Sequence, residues 1–290
     1  MRRGRRLARL AGLFVAAVAA LAVVRLTGCA ESLAYWPTRN ETLTPPRHES
    51  VWFETDDGLR LHAWFMRAQD AEPGEKRPTI LHLHGNARQL DDHAPDSEFL
   101  TSRGFHVLIF DYRGYGMSDK RGPLRRDDVL IDCHAALDTL LVRDDVETDR
   151  IGALGISLGG AFAQRLTAQR DEIRAVCTIA TFPTWKGVAG DFVPLIGPLV
   201  FPNGWDPIDT VGRIPPRPWL IVHGDRDRTI RPRHGDRLFD EATTAGIDAT
   251  LRVVEGAGHN DVVAAHPEVR DEIAVFFREH LTPEEPSEGD

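Results

Sequence analysis

Apolar bursts of strand length recur along the chain at residues 51–54, 60–65, 79–83, 106–111, 150–155, 175–180, 219–223 and 250–254, and amphipathic stretches of helix length fill most of the intervals. Asp56-Asp57-Gly58 stands between the first two bursts and predicts a tight turn, hence an antiparallel pair. Later bursts such as Val107-Leu108-Ile109-Phe110 and Trp219-Leu220-Ile221-Val222 show no apolar/polar alternation, as expected of strands covered on both faces. Leu130, Cys133, His134, Leu137, Leu140 and Leu141 fall near helical spacing, as do Ile273, Phe276 and Phe277. The pattern predicts an α/β fold: eight strands, an antiparallel start, then βα alternation, giving a mostly parallel sheet with helices on both faces.

The ends of the chain read differently from its body. Residues 1–28 hold six arginines and no acid, so that a net charge of −9 for the whole chain becomes −15 for the rest. An acidic body excludes phosphate-backbone binding as the main task, and no nucleic-acid partner is expected. A basic start is followed by an uncharged, almost wholly apolar run over 10–24, the length of a signal-peptide core and short for a membrane span. Leu26-Thr27-Gly28-Cys29 resembles a bacterial lipobox, which implies cleavage before Cys29 and lipid attachment to it. The alternative is an uncleaved anchor helix. Either placement is extracytoplasmic and membrane-anchored. Residues 29–50 are polar with Pro37, Pro45 and Pro46 and are expected to act as a tether or spacer; 51–280 form the domain; 281–290 are an acidic tail expected to be disordered.

Gly155-Ile156-Ser157-Leu158-Gly159 lies after the fifth burst and before a helical run. At a sharp strand-to-helix turn, side chains two residues on either side of the serine would collide, so glycines flank it. A serine needs a base held by a third group. His259 follows the last burst in Glu255-Gly256-Ala257-Gly258-His259, and two acids, Asp225 and Asp227, follow the seventh. An oxyanion needs preorganised N–H donors. One is expected from Leu158, the residue after the serine, and the other from the loop after the third burst, at Asn86 or, failing that, Ala87.

Four segments then carry a family resemblance: His84-Gly85-Asn86, Phe110-Asp111-Tyr112-Arg113-Gly114-Tyr115-Gly116, the serine turn Gly155 to Gly160, and Gly258-His259-Asn260-Asp261, with His223-Gly224-x-x-Asp227 between the last two. The chain from about Tyr35 to Asp261 resembles the α/β-hydrolase superfamily, in particular its membrane-tethered serine hydrolases related to the bud-emergence proteins and the α/β-hydrolase-domain proteins. The resemblance implies a Ser157, Asp227, His259 triad, with Asp227 preferred over Asp225, and no cofactor. It implies an esterase-like or peptidase-like serine hydrolase and goes no further; carboxylic esters are preferred over thioesters and amides because the lid is short and no basic pocket for a charged group is evident, with a small-molecule or lipid-like acyl compound as the expected substrate. A serine peptidase of the same fold and a catalytically silent binding protein are the alternatives. Residues 181–217, between the sixth and seventh bursts, are where this fold inserts its lid, and their short length predicts a small one.

Arg113 is read as a structural brace of the neighbouring oxyanion loop. His82 and His84 lack a third ligand cluster, so no metal site is expected. Cys133 and Cys177 read as core thiols. The lipobox reading makes a direct prediction: Cys29→Ser should move the protein from the detergent phase to the aqueous phase on partitioning, whereas an unchanged partition would favour the anchor helix.

Overall fold

In the computed structural model, which describes residues 29–32, 34–194, 197–201, 206–215 and 217–282, each of the eight bursts is a strand of one sheet. They are His48–Glu54 (β1), Arg60–Met66 (β2), Arg77–Leu83 (β3), His106–Phe110 (β4), Val146–Ile156 (β5), Ile173–Ile179 (β6), Trp219–Gly224 (β7) and Ala249–Val254 (β8). The spatial order is β1-β2-β4-β3-β5-β6-β7-β8, antiparallel for β1/β2 and β2/β4 and parallel elsewhere. The β1–β2 turn closes with Gly58 N–H on Thr55 O at 2.8 Å, and Gly58 takes a φ of 78°, which a residue without Cβ adopts freely.

The unbroken apolar runs are explained by two cores, one on each face. Leu81, Leu108, Phe110, Ile151, Ala153, Val176, Trp219 and Ile221 point into one core. Their neighbours Ile80, Val107, Ile109, Leu154, Cys177, Leu220 and Val222 point into the other. Helices Arg126–Leu141 (α1), Leu158–Thr167 (α2) and Arg233–Thr244 (α4) cover the first core, with Trp185–Phe192 (α3) between β6 and β7; Pro267–His280 (α5) covers the second. Cys133 and Cys177 are free, buried thiols in different cores, and so on opposite faces of the sheet. Among the described residues no helix is long and apolar enough to cross a membrane.

Strand ends differ from the sequence reading by up to four residues, and three differences from that reading are instructive. β5 begins at Val146, four residues earlier than expected, because Val146 pairs with Arg77 before a register shift, in a stretch too polar to read as strand. Leu281, assigned to the tail, is 2% exposed and belongs to the second core; residues 283–290 lie outside the described residues. The expected spacer is built into the body. Tyr35 is buried, Glu31 pairs with Arg126, Thr38 N–H bonds to Arg88 O at 3.0 Å, and Gln89 Nε2 donates to Thr42 Oγ1 at 2.8 Å. Polar composition suggested slack chain, but these polar groups are spent on the body's own loops.

Arg113 is buried and braces, though not where expected. Its Nε and Nη2 donate to Asp132 Oδ1 on α1 at 2.9 and 2.7 Å, its two Nη atoms reach Asp57 in the β1–β2 turn at 2.9 and 3.0 Å, and its own N–H donates to Asp132 Oδ2 at 2.8 Å. The guanidinium thus joins a turn, a loop and a helix, while the loop after β3 that it was expected to brace is held by other groups. Arg113→Met would strand the Asp132 carboxylate, fully buried, without its counterion. Urea denaturation should show a loss of about 3–5 kcal/mol, since removing one partner of a buried pair leaves an uncompensated charge; a loss below about 1 kcal/mol would refute the brace.

Candidate active site

Ser157 follows the carboxyl end of β5 and precedes α2 with φ 53° and ψ −112°, a conformation that L-residues avoid. Glycines make the turn possible. A Cβ on Gly155 would lie 2.6 Å from Gly159 O, one on Gly159 only 1.9 Å from Leu83 O, and one on Gly160 2.5 Å from Thr181 Cβ. The serine is locked by Ser157 N–H to Ile179 O at 2.8 Å and by Thr181 Oγ1 donating to Ser157 O at 2.8 Å.

His259 reaches this serine from the loop after β8, with Nε2 3.1 Å from Ser157 Oγ. Its Nδ1 lies 2.7 Å from Asp227 Oδ2. A carboxylate accepts only, so Nδ1 carries the proton and Nε2 is left with the lone pair that faces the hydroxyl. Asp227 is 3% exposed, and its other oxygen accepts from Thr229 N–H and Ile230 N–H, both at 2.8 Å. Burial alone would raise this carboxyl; hydrogen bonds from His223 and His259 and from the Ile230 N–H outweigh burial and hold it well below the usual carboxylate range. Asp225 is exposed and accepts from Gly256 N–H at 2.7 Å, a turn contact away from His259.

The loop after β3 lies against the serine: a Cβ on Gly85 would stand 3.8 Å from Ser157 Cβ. His84 Nδ1 lies 2.7 Å from Gly85 O; a carbonyl only accepts, so this nitrogen carries the proton. Burial and the neighbouring His93 push His84 well below its ordinary pKa, so the ring is neutral and its tautomer fixed. Ala87 N–H is taken by Asn86 Oδ1 at 2.8 Å, which removes the expected fallback donor. The N–H groups of Leu158 and Asn86 meet no acceptor among the described residues, as the first residue of a helix and a loop residue respectively. Ala87 and Arg88 both sit at positive φ, 63° and 60°, each costing about 1–3 kcal/mol unless its surroundings hold it there.

The remaining expected residues are placed as follows. His82 donates or accepts at Ser97 Oγ at 2.8 Å and burial lowers its pKa to about 3; among the described residues no group of three potential ligands surrounds it or His84. Residues 181–217 contribute α3, a four-residue helix Gly197–Val200 and a 3-10 turn Pro207–Arg213, with Phe182, Trp185 and Phe201 packed as an aromatic cluster. α3 is fastened to α4 through Asp191, which pairs with Arg233 and accepts at 2.9 Å from His234. Cys29 begins a short helix, Cys29–Ser32, and residues 1–28 lie outside the described residues. A cavity of about 460 Å³ lined by residues including Asp70, Arg77, Arg103 and Arg150 opens at the amino ends of β3, β4 and β5, the sheet edge opposite Ser157. What sequence reasoning missed is the side chain of Asn86, together with its partners Tyr115, Ala34 and Trp36; the motifs around Asn86 and Tyr115 were visible, but their mutual contact was not.

An eight-stranded sheet in this order, with a serine at the turn after β5 and acid and histidine on later loops, defines an α/β hydrolase. The chain belongs to the α/β-hydrolase superfamily. The family model for serine aminopeptidases of family S33 matches residues 74–200. Protein YfhR of Escherichia coli O157:H7 is 30% identical over 277 residues, covering 94% of this chain and 95% of that one. The α/β-hydrolase domain-containing protein WAV2 of Arabidopsis thaliana is 29% identical over 302 residues, covering 96% and 94%. Among solved structures, the esterase Pf2001 of Pyrococcus furiosus superposes with a TM-score of 0.70 at 18% identity, over 85% of this chain and all of that one, a likeness of fold.

The contrast between the two acids is open to test. Asp227→Ala should lower kcat by about 10³–10⁴-fold, in line with other triads that lose their acid, while Asp225→Ala should stay within about fivefold of wild type in steady-state assays. The reverse ranking would show that the carboxylate bonded to His259 is not the one that matters.

Proposed function

We propose that the protein is a serine hydrolase that cleaves carboxylic esters, or thioesters, through an acyl-enzyme. The observation that carries the reading is the hydrogen-bonded line from Ser157 Oγ to His259 Nε2 at 3.1 Å and from His259 Nδ1 to Asp227 Oδ2 at 2.7 Å. His259 takes the hydroxyl proton as Ser157 Oγ attacks the acyl carbon. Asp227 keeps the imidazole in the required tautomer and stabilises the imidazolium. The carbonyl oxygen, now anionic, is held by the N–H groups of Leu158 and Asn86. His259 returns the proton to the departing alkoxide; water, deprotonated by the same imidazole, then attacks the acyl group, and carboxylic acid and free serine result. Each oxyanion donor contributes about 3 kcal/mol to lowering the barrier.

The ester preference rests on the small lid, whose apolar side chains Phe192 and Val193 are exposed and suit an apolar acyl group. The match to the serine aminopeptidase family favours amide cleavage as the second reading. The basic start, the apolar run and Cys29 support a further part of the proposal, that the enzyme works outside the cytoplasm on a membrane tether.

Wild-type protein should label with a fluorophosphonate and Ser157→Ala should not; equal labelling of both would sink the serine reading. On p-nitrophenyl esters of graded chain length, assayed beside aminoacyl amides, kcat/KM should be greater for the best ester by at least about tenfold. Faster turnover of the amides would establish the peptidase reading instead.

A further inference from the structure

We propose that the segment Ala34–Thr38, which precedes the hydrolase sheet, is a working part of the oxyanion site: it clamps the side chain of Asn86 and thereby aims the Asn86 N–H at the reacting carbonyl. The inference rests on the serine-hydrolase reading above.

The aim of that N–H is set by the peptide plane it shares with Gly85 O. In a trans peptide the two groups point in opposite directions. His84 Nδ1 holds the oxygen at 2.7 Å on the buried side, so the N–H is turned the other way. Holding the oxygen fixes one end of the plane only. The other end is set by Asn86, whose Oδ1 accepts from Trp36 N–H at 3.1 Å, from Tyr115 Oη at 2.9 Å and from Ala87 N–H at 2.8 Å, while its Nδ2 donates to Ala34 O at 2.5 Å. Three contacts fill the carbonyl oxygen and one engages the NH2 group, and two of the four go to the backbone of the segment.

The segment then runs beside the loop it holds. Pro37 and Arg88 form a parallel bridge, Thr38 N–H donates to Arg88 O at 3.0 Å, Gly116 N–H donates to Thr38 O at 2.7 Å, and Asn40 N–H donates to Gln89 Oε1 at 2.9 Å. These bonds hold Ala87 and Arg88 at positive φ, a conformation non-glycine residues keep only when their surroundings impose it. The loop adds two contacts of its own, Ala87 N–H to Asn86 Oδ1, which runs through the same amide, and His93 Nε2 to Ala87 O at 3.1 Å. Asn86 is therefore a positioning residue through its side chain while its backbone N–H is the donor, and Ala34, Trp36 and Tyr115 act through it.

The test measures kcat, KM and the affinity of a boronic-acid transition-state mimic, with kcat normalised to the fraction of chains that label with a fluorophosphonate. Tyr115→Phe removes one hydroxyl and nothing else from the clamp; Trp36→Pro removes one backbone donor; Asn86→Ala removes the amide. The expected losses in kcat are about threefold to tenfold, about tenfold, and about tenfold to a hundredfold, below the 10²–10³ of deleting an oxyanion donor outright. KM should stay within about twofold, and boronic-acid affinity should fall in step with kcat/KM. Asn86→Asp keeps the three acceptor contacts and should recover part of the loss in Asn86→Ala. If wild type labels and turns over but Tyr115→Phe and Trp36→Pro match its kcat, the clamp is refuted and the hydrolase reading stands. A rise in KM at constant kcat also refutes it, as the signature of a substrate-binding role. If wild type neither labels nor turns over, the hydrolase reading fails and the clamp fails with it.

Discussion

The structure depends on a single strained turn. Ser157 sits at φ 53° and ψ −112° between β5 and α2, and that conformation exists because the backbone of Leu83, His84 and Gly159 passes within contact of where neighbouring Cβ atoms would stand. Gly155 and Gly159 let α2 pack directly against the ends of β5 and β3, and Gly160 lets it approach Thr181, just after β6. The cost of about 1–3 kcal/mol for such a residue is offset by two buried cores that close the sheet on both faces. The consequence is a hydroxyl lifted above the carboxyl edge of the sheet, with the first N–H of α2 beside it.

Everything else at the site is arranged around that hydroxyl. Strands β7 and β8 end at the same edge, so the loops after them bring Asp227 and His259 into line with it. Asp227 is buried, yet its carboxylate is stabilised by two backbone N–H groups and by His223 and His259. The loop after β3 is the second strained element, with Ala87 and Arg88 at positive φ. It relies on His84 from below and on the chain before β1 from outside. In the proposed reading, rigid packing supplies the nucleophile and a polar clamp the oxyanion loop.

The strands and the serine turn were legible in the sequence because each rests on local information. A run such as Val107 to Phe110 reads as buried whatever surrounds it, and glycines on both sides of a serine after a strand mark a tight strand-to-helix turn. Asp227 and Asp225 were separable only by family position; the contact to His259 separates them physically. The segment from residue 29 to 50 was misread because polar, proline-marked chain looks alike whether it is solvated or bonded to the body. Its contacts to Asn86, Arg88 and Gln89 span about fifty residues, beyond what spacing reveals. The same limit hid the Arg113–Asp132–Asp57 brace, whose members come from a loop, a helix and a turn.

The most direct test of the account is a crystal structure of the protein after reaction with a small alkyl fluorophosphonate. The account predicts phosphorus bonded to Ser157 Oγ, with the phosphonyl oxygen about 2.7–3.1 Å from both the Leu158 and the Asn86 nitrogens, the range expected of oxyanion donors. An adduct on another residue, or a phosphonyl oxygen turned away from these two N–H groups, would contradict it.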